Sequence, residues 1–248
     1  MTRTIAIGDI HGELDHLRLL LDRLPRLEAH DTMVFLGDYI DRGPQSAQVV
    51  HYLRDILPTR TPARLVFLRG NHEDAWLRVV REGWIEFVLP AGNGCRECMR
   101  SFVSGPEPTE PAAQRREMEA LFSGSFFPPD VVAWMRELPR WFEDEHAIYV
   151  HAGLPKAGDR WLHPSEAPEA RELVWSRDLD FHREYRGKPV ICGHTPTTDM
   201  PQELSRYTPD DPKDLWVGVR VAAIDTGSGK GGFLSAVELP GFYVRESR

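Results

Sequence analysis

At 248 residues, with 41% hydrophobic and 27% charged positions, the chain has ordinary globular composition and enough length to bury a sizeable core as one domain. A formal net charge of −8 argues against bulk nucleic-acid binding, which draws on basic surface to displace counterions, so an anionic ligand has to be held by local positive charge. No apolar run approaches the ~20 residues of a membrane span, and MTRTIAIG passes straight into a strand pattern without the plan of a signal peptide, so a cytoplasmic protein with no membrane partner is expected.

In chain order, three short β-branched apolar runs each end in a cluster of Gly, Asp, Asn and His. RTIAI leads into GDIHG at Gly8–Gly12, TMVFL into GDYIDRG at Gly37–Gly43, and RLVFL into RGNHED at Arg69–Asp74. Each run reads as a buried strand with a polar turn at its carboxyl end. The segments between them, ELDHLRLLLDRL and QSAQVVHYLRDIL, repeat apolar residues at helical spacing, so the N-terminal half reads β-α-β-α-β with parallel strands. In open α/β sheets the ligand crevice lies outside the carboxyl ends of the strands, so the three turns are expected to converge.

Residues 84–135 break this rhythm. They hold Gly-rich turns, the stretch PEPTEP and two helical patterns, AAQRREMEALF and DVVAWMREL. We read the chain as a single domain over 1–248 with 84–135 as a lid-like insertion. Its Trp84, Phe87, Phe102, Phe126 and Phe127 are read as a small core of the lid itself, with stacking on a base as the alternative. Arg96, Arg100, Arg115 and Arg116 are offset by Glu97, Glu117 and Glu119, which makes a solvated face the reading. Beyond the insertion, WFEDEHAIYVHAGL reads as a strand pair, KPVICGHTP as a further strand, and VRVAAIDTGSG, GGFLSAVEL and GFYVRES as closing strands. Two of these runs end in histidine, His151 and His194.

Three cysteines make no disulfide framework. Cys95 and Cys98 form a CxxC, but no second pair or paired histidines stand nearby to complete a zinc site, so both are read as ordinary thiols, with a metal or redox role as the alternative. Cys192 is read as a small apolar residue closing a strand.

Asp9 and His11 would point the same way if strand geometry persisted through Ile10, and both would then ligate one ion. Asp38 leaves the neighbouring strand at the same level, and its two oxygens allow it to bridge two ions. Asn71, His151 and His194 supply an oxygen and two nitrogens for the second. This mixed oxygen and nitrogen set suits Mn²⁺, Fe²⁺, Zn²⁺ or Ni²⁺ better than Ca²⁺, and the sequence by itself does not choose among them.

GDIHG, GDYIDRG, RGNHED, HAG and GHT, in this order, resemble the signature of the calcineurin-like metallophosphoesterases, in the phosphoprotein-phosphatase branch that includes bacteriophage lambda phosphatase and the bacterial symmetrical dinucleoside-tetraphosphatases. IDTGSG at 224–229 resembles a further family segment, and HAG stands where HGG is commoner. The resemblance implies an α/β fold with an αββα β-sandwich flanked by helices and a two-metal centre. Asp9, His11 and Asp38 would hold one ion; Asp38, Asn71, His151 and His194 would hold the other. It also implies hydrolysis of a phosphorylated substrate by attack of a metal-bridging hydroxide, with His72 as the acid on the leaving oxygen, Asp41 holding His72, and Arg42 gripping phosphate. Arg177, in LVWSRD, resembles a second phosphate clamp, and Arg69 is a further candidate.

A serine/threonine or dual-specificity phosphoprotein phosphatase is the first expectation, with a symmetrical bis(5'-nucleosyl)-tetraphosphatase or short-chain polyphosphatase as the alternative. A non-catalytic phosphate-binding relative would normally have lost a ligand or the acid, and here all stand. His16, His30, His51, His146, His163 and His182 fall outside the motifs and are read as structural. Asp225, in IDTG, is expected to orient a ligand histidine.

Overall fold

The computed structural model describes residues 2–207 and 211–248. Its N-terminal half alternates strand and helix. β1 (Thr4–Ile7) leads through α1 (Leu14–Asp22) to β2 (Thr32–Phe35), and α2 (Ser46–His51) leads to β3 (Arg64–Phe67). α1 turns Leu14, Leu17 and Leu20 inward, the three-residue spacing of one helix face. α2 winds on through a π turn and a 3₁₀ turn to Thr59, where Pro58 offers no N–H to continue an α ladder. After β3 the turn is shorter than the sequence reading allowed. Asn71 already begins α3 (Asn71–Glu82), with Gly70 at its N-cap, Glu73 and Asp74 in its first turn, and Gly83 at φ 72° closing it.

Four helices follow in the segment expected as a lid: α4 (Ile85–Val88), α5 (Cys95–Phe102), α6 (Pro111–Ser123) and α7 (Pro129–Glu137). Next come β4 (Trp141–Glu143) and β5 (Ile148–Val150), which pair antiparallel. A small ribbon of β6 (Lys156–Ala157) with β7 (Arg160–Trp161) and two short helices, α8 (Glu172–Trp175) and α9 (Leu179–Glu184), precede β8 (Val190–Cys192). β9 (Trp216–Val217), β10 (Val221–Ala223), β11 (Ser235–Leu239) and β12 (Tyr243–Glu246) complete the chain.

Two five-stranded sheets result, β12-β11-β1-β2-β3 and β4-β5-β8-β10-β9. β1, β2 and β3 run parallel, as do β5, β8 and β10. Because side chains alternate along a strand, each sheet serves two layers. Ala6, Val34 and Leu36 of the first sheet meet Tyr149, Ile191 and Ala222 of the second in the space between the sheets. Ile5, Ile7, Met33 and Phe35 turn the other way, under α1, α2 and α3. On the far side Val150, Val190 and Ala223 pack against Leu173 of α8 and Phe181 of α9. The architecture is therefore helix, sheet, sheet, helix, as the resemblance implied.

The aromatic side chains of 84–135 do not form a separate core. Phe87, Phe126 and Phe127 lie 5.8, 5.1 and 5.1 Å from the Trp76 ring of α3, and all belong to the core beneath the first sheet. The helices pack back on the main body, α4, α6 and α7 against α3 and α5 against α2. Cys95, Cys98 and Cys192 are buried free thiols, and burial pushes all three up in pKa, which makes them inert. Among the described residues, no helix is long and apolar enough to cross a membrane.

Candidate metal centre

The carboxyl ends of six strands meet at one end of the sandwich. β1 gives Asp9 and His11, β2 gives Asp38, and β3 gives Asn71 and His72; from the second sheet, β5 gives His151, β8 gives His194 and β10 gives Asp225. Backbone strain concentrates at this convergence. Among the described residues six non-glycine positions have positive φ: His11 (49°), Asp38 (53°), Asp41 (71°), Arg42 (63°), His194 (66°) and Phe242 (55°). All but Phe242 are candidate site residues, and left-handed backbone at such residues persists only where the surroundings over-determine it. Strand geometry thus does not continue through His11. Its ring reaches the same side as Asp9 through a left-handed turn, which leaves His11 Nε2 3.9 Å from Asp9 Oδ2.

Asp38 lies at the centre. His11 Nε2 is 3.3 Å from its Oδ2 and His151 Nε2 is 3.5 Å from its Oδ1. Asn71 Oδ1 stands 3.0 Å from His151 Nε2 and 2.7 Å from His194 Nδ1. Two groupings of nitrogen and oxygen atoms, each within 4.8 Å, share this carboxylate: His11, Asp38 and His72, and Asp38, His151 and His194. Asp9 is fastened instead by the His194 backbone N–H, at 3.0 Å from Oδ2. The loops come this close only because glycine occupies the contact. A Cβ on Gly70 would stand 2.1 Å from Asp38 Oδ1 and 2.2 Å from Asp38 N.

Among the described residues, three polar atoms buried in this cluster have no hydrogen-bond partner: His11 Nε2, Asp38 Oδ2 and His194 Nε2. Orphaned polar atoms at such depth cost free energy unless a ligand completes them. The opposite nitrogen of two of the rings is already fixed, with His11 Nδ1 3.0 Å from Ile40 O and His151 Nδ1 2.9 Å from Leu36 O, so Nε2 is the nitrogen presented inward. Burial lowers the pKa of His11, His151 and His194, with Arg42 adding to the effect at His11, His72 at His151, and His151 and Arg177 at His194. Neutral imidazoles are the form that binds a cation. Burial also raises Asp9, helped by Asp225 and Asp38. At Asp38 burial pushes up too, but His151, His72 and His11 together bring it below the usual carboxylate range. Neutral nitrogens around crowded carboxylates fit divalent cations.

Beside the cluster, His72 Nδ1 lies 2.6 Å from Asp41 Oδ2, and Trp76 Nε1 donates to both Asp41 oxygens at 2.8 and 2.9 Å. His72 and Trp76 are four apart on α3, so one helix face presents both to the same carboxylate. With Nδ1 occupied by Asp41, His72 Nε2 faces Asp38 at 3.9 Å. Glu73, which the sequence reading passed over, ties the motifs together. Its carboxylate accepts from Asp38 N, Tyr39 N and Gly70 N at 2.9, 2.9 and 3.0 Å, while burial pushes it up to about 8. The letters NHEDAW contained both signals, a Glu in a first helical turn and a Trp four residues after the histidine.

The arginines divide. Arg42 Nε and Nη1 are buried without partners among the described residues, and its backbone N–H donates to Asn93 O of the insertion at 3.2 Å. Arg177 is exposed and close enough to His194 to act on it electrostatically. Arg69 is placed differently from the expectation of a phosphate contact. Its Nη2 donates to Arg136 O at 2.6 Å and its Nη1 lies 3.7 Å from Asp74, so its guanidinium braces the insertion. Asp225 also differs. Its Oδ1 accepts from Gly227 N at 3.0 Å, its Oδ2 has no partner, and the ring nitrogens of His11 and His151 are held by backbone carbonyls instead. The six histidines outside the motifs take unrelated partners, such as Ser247 for His16 and Glu143 for His163.

Two sheets whose loops bring histidines, carboxylates and an amide around a shared aspartate make a candidate centre for divalent cations. A family model, Calcineurin-like phosphoesterase, matches residues 2–198, and the chain belongs to that family. It is 29% identical over 171 residues to a symmetrical bis(5'-nucleosyl)-tetraphosphatase of Dechloromonas aromatica, covering 69% of this chain and 48% of that protein. It is 42% identical over 92 residues, 37% of this chain and 29% of the other, to a protein of Schizosaccharomyces pombe named provisionally as a serine/threonine-protein phosphatase. A crystal structure described provisionally as a diadenosine tetraphosphatase superposes with a TM-score of 0.59 at 22% identity, covering 98% of this chain and 92% of that one, a likeness of fold. The matches span about half or less of the length of the first curated relatives.

Proposed function

We propose that Asp9, His11 and Asp38 hold one divalent ion and that Asp38, Asn71, His151 and His194 hold a second, in a hydrolase of phosphate esters. The observation that carries this reading is the convergence of orphaned, buried ligand atoms on Asp38. Manganese is the first candidate, with iron, zinc or nickel as alternatives. When bound, two such ions would supply a nucleophile at neutral pH and offset charge on phosphoryl oxygens.

The remaining work falls to the chain. Arg42 holds buried donors with no protein partner among the described residues, and a guanidinium fork matches two phosphate oxygens. Arg177, exposed and near His194, is the second phosphate contact. His72, steadied by Asp41 at 2.6 Å, delivers a proton from Nε2 to the departing oxygen. Trp76 and Glu73 keep Asp41 and Asp38 in place. The segment 84–135 shapes access, since Asn93 and Gly94 lie on Arg42 and the Phe87 ring is 5.4 Å from His72.

A phosphoserine or phosphothreonine protein was the first expectation for the substrate. The longer matches to tetraphosphatases, 69% of the chain against 37%, favour a dinucleoside tetraphosphate. Comparing kcat/KM of the Mn²⁺-loaded protein on diadenosine tetraphosphate, tripolyphosphate and a phosphopeptide tests this. A phosphopeptide turned over tenfold faster than either phosphate chain would restore the first expectation, and no hydrolysis of any ester would end the phosphoesterase reading.

A further inference from the structure

The loop Thr226–Phe233 has no part in the chemistry above, yet it is built with care. Thr226 Oγ1 donates to Phe233 O at 2.6 Å, Ser228 Oγ to Ile10 O at 2.9 Å, and Lys230 N and Gly232 N to Gly227 O at 2.9 and 3.0 Å. Gly229, at φ 75°, presses on the metal loops: a Cβ there would stand 2.7 Å from His11 Cβ and 3.0 Å from Arg42 Cβ. The next residue, Lys230, therefore leaves a rigid turn right beside Arg42. Its side chain is exposed and makes no ion pair or side-chain hydrogen bond among the described residues. Arg42 has its own unpartnered guanidinium nitrogens.

The three cations feel one another. Partial burial lowers the Lys230 ammonium, and Arg42 and Arg177 push it the same way, against Asp225 and Asp199. Like charges gathered at a mouth repel, and such an arrangement is offset by a ligand with charge to match. One reacting phosphate already has Arg42, Arg177 and the ligand cluster to answer its charge. A third cation, on a flexible stem rather than in a fixed fork, suits a neighbouring phosphate whose position varies.

We propose that Lys230 determines specificity by binding the phosphate next to the reacting one, so that the site takes a condensed phosphate chain, inorganic or capped by nucleosides. This rests on the phosphoesterase reading above.

The test is calorimetry of the Mn²⁺-loaded protein with orthophosphate and with tripolyphosphate, free metal held constant. Lys230→Ala should weaken tripolyphosphate by tenfold or more, about 1.4 kcal/mol, and orthophosphate by less than threefold. Lys230→Arg should recover most of the loss, and the difference should shrink as salt is raised. Arg115→Ala, which removes an exposed charge of α6, should leave the ratio of the two affinities unchanged. Equal weakening of both ligands would move Lys230 to the reacting phosphate, and no weakening of either would make it a solvated side chain; each overturns the proposal. With diadenosine tetraphosphate as a third ligand, a matching loss means that the chain of phosphates is read, and a loss confined to tripolyphosphate assigns the inorganic form. Failure of the phosphoesterase reading shows separately, as wild-type protein that binds phosphates and hydrolyses no p-nitrophenyl phosphate.

Discussion

Replacing His72 with Asn removes the proposed proton donor and keeps a side chain of similar reach. General-acid catalysis contributes about 10²–10⁴-fold where the leaving oxygen is basic, and little where it departs as a stable anion. Asp41→Asn is the subtler change. It removes the charge from a 2.6 Å contact between groups with 3% and 0% side-chain exposure, and the amide still accepts from Trp76 Nε1. A buried hydrogen bond to a charged group is worth about 1.5–3 kcal/mol, which converts to roughly 10- to 150-fold. The assay is kcat/KM over a series of aryl and alkyl phosphates with leaving groups from acidic phenols to simple alcohols. Both variants should show a steeper dependence on leaving-group basicity than the wild type, His72→Asn more so, with p-nitrophenyl phosphate the least affected. Losses of equal size across the series would refute the role of His72 as an acid and leave it a ligand or a wall.

Three other outcomes follow from the geometry. Gly70→Ala adds a methyl where Asp38 Oδ1 is 2.1 Å and Asp38 N 2.2 Å away, so the loop backbone has to shift, and the change should weaken Mn²⁺ binding tenfold or more and lower Tm as well; undiminished affinity would mean that the loop spacing does not set the site. Arg42→Ala should raise the inhibition constant for orthophosphate at least tenfold, about 1.4 kcal/mol, and an unchanged constant would remove Arg42 from the phosphate. At Asp31, burial pushes the carboxyl up, but hydrogen bonds from Arg3 and Glu28 N prevail and hold it below its usual range. A depressed carboxylate stabilises above the unfolded value near 3.9 and loses that contribution as pH falls through its folded value. Asp31→Asn should therefore cost about 1–2 kcal/mol in urea unfolding at pH 7 and less at pH 3, whereas an equal cost at both would deny the ion pair its role.

Much of the site was legible because its residues follow strands, and strands announce themselves by short apolar runs. RTIAI, TMVFL and RLVFL each delivered a polar turn to the right end of the sheet, and KPVIC delivered His194. What the letters hid is what depends on another element. Strand alternation failed at His11 because Gly229 and the Asp38 loop hold its backbone in the left-handed region. Arg69 sits in the same motif as Asn71 and His72, but the end of α7 passes over it and takes its guanidinium. The insertion reads as independent by composition, yet the bare side of Trp76 draws Phe126 and Phe127 into the main core. α3 was missed because NHED resembles a loop cluster, although Gly70 and Gly83 bracket it at helical length.

The central claim is that one carboxylate, Asp38, serves two ions. Its most direct test is to strip the protein of metal, titrate Mn²⁺ back, and follow bound metal per chain by elemental mass spectrometry alongside hydrolysis of p-nitrophenyl phosphate. We predict that activity appears only as occupancy approaches two ions per chain, and that Asp38→Asn loses both sites together. Full activity at one ion per chain, or an Asp38→Asn protein that keeps two ions and turns over normally, would contradict the account.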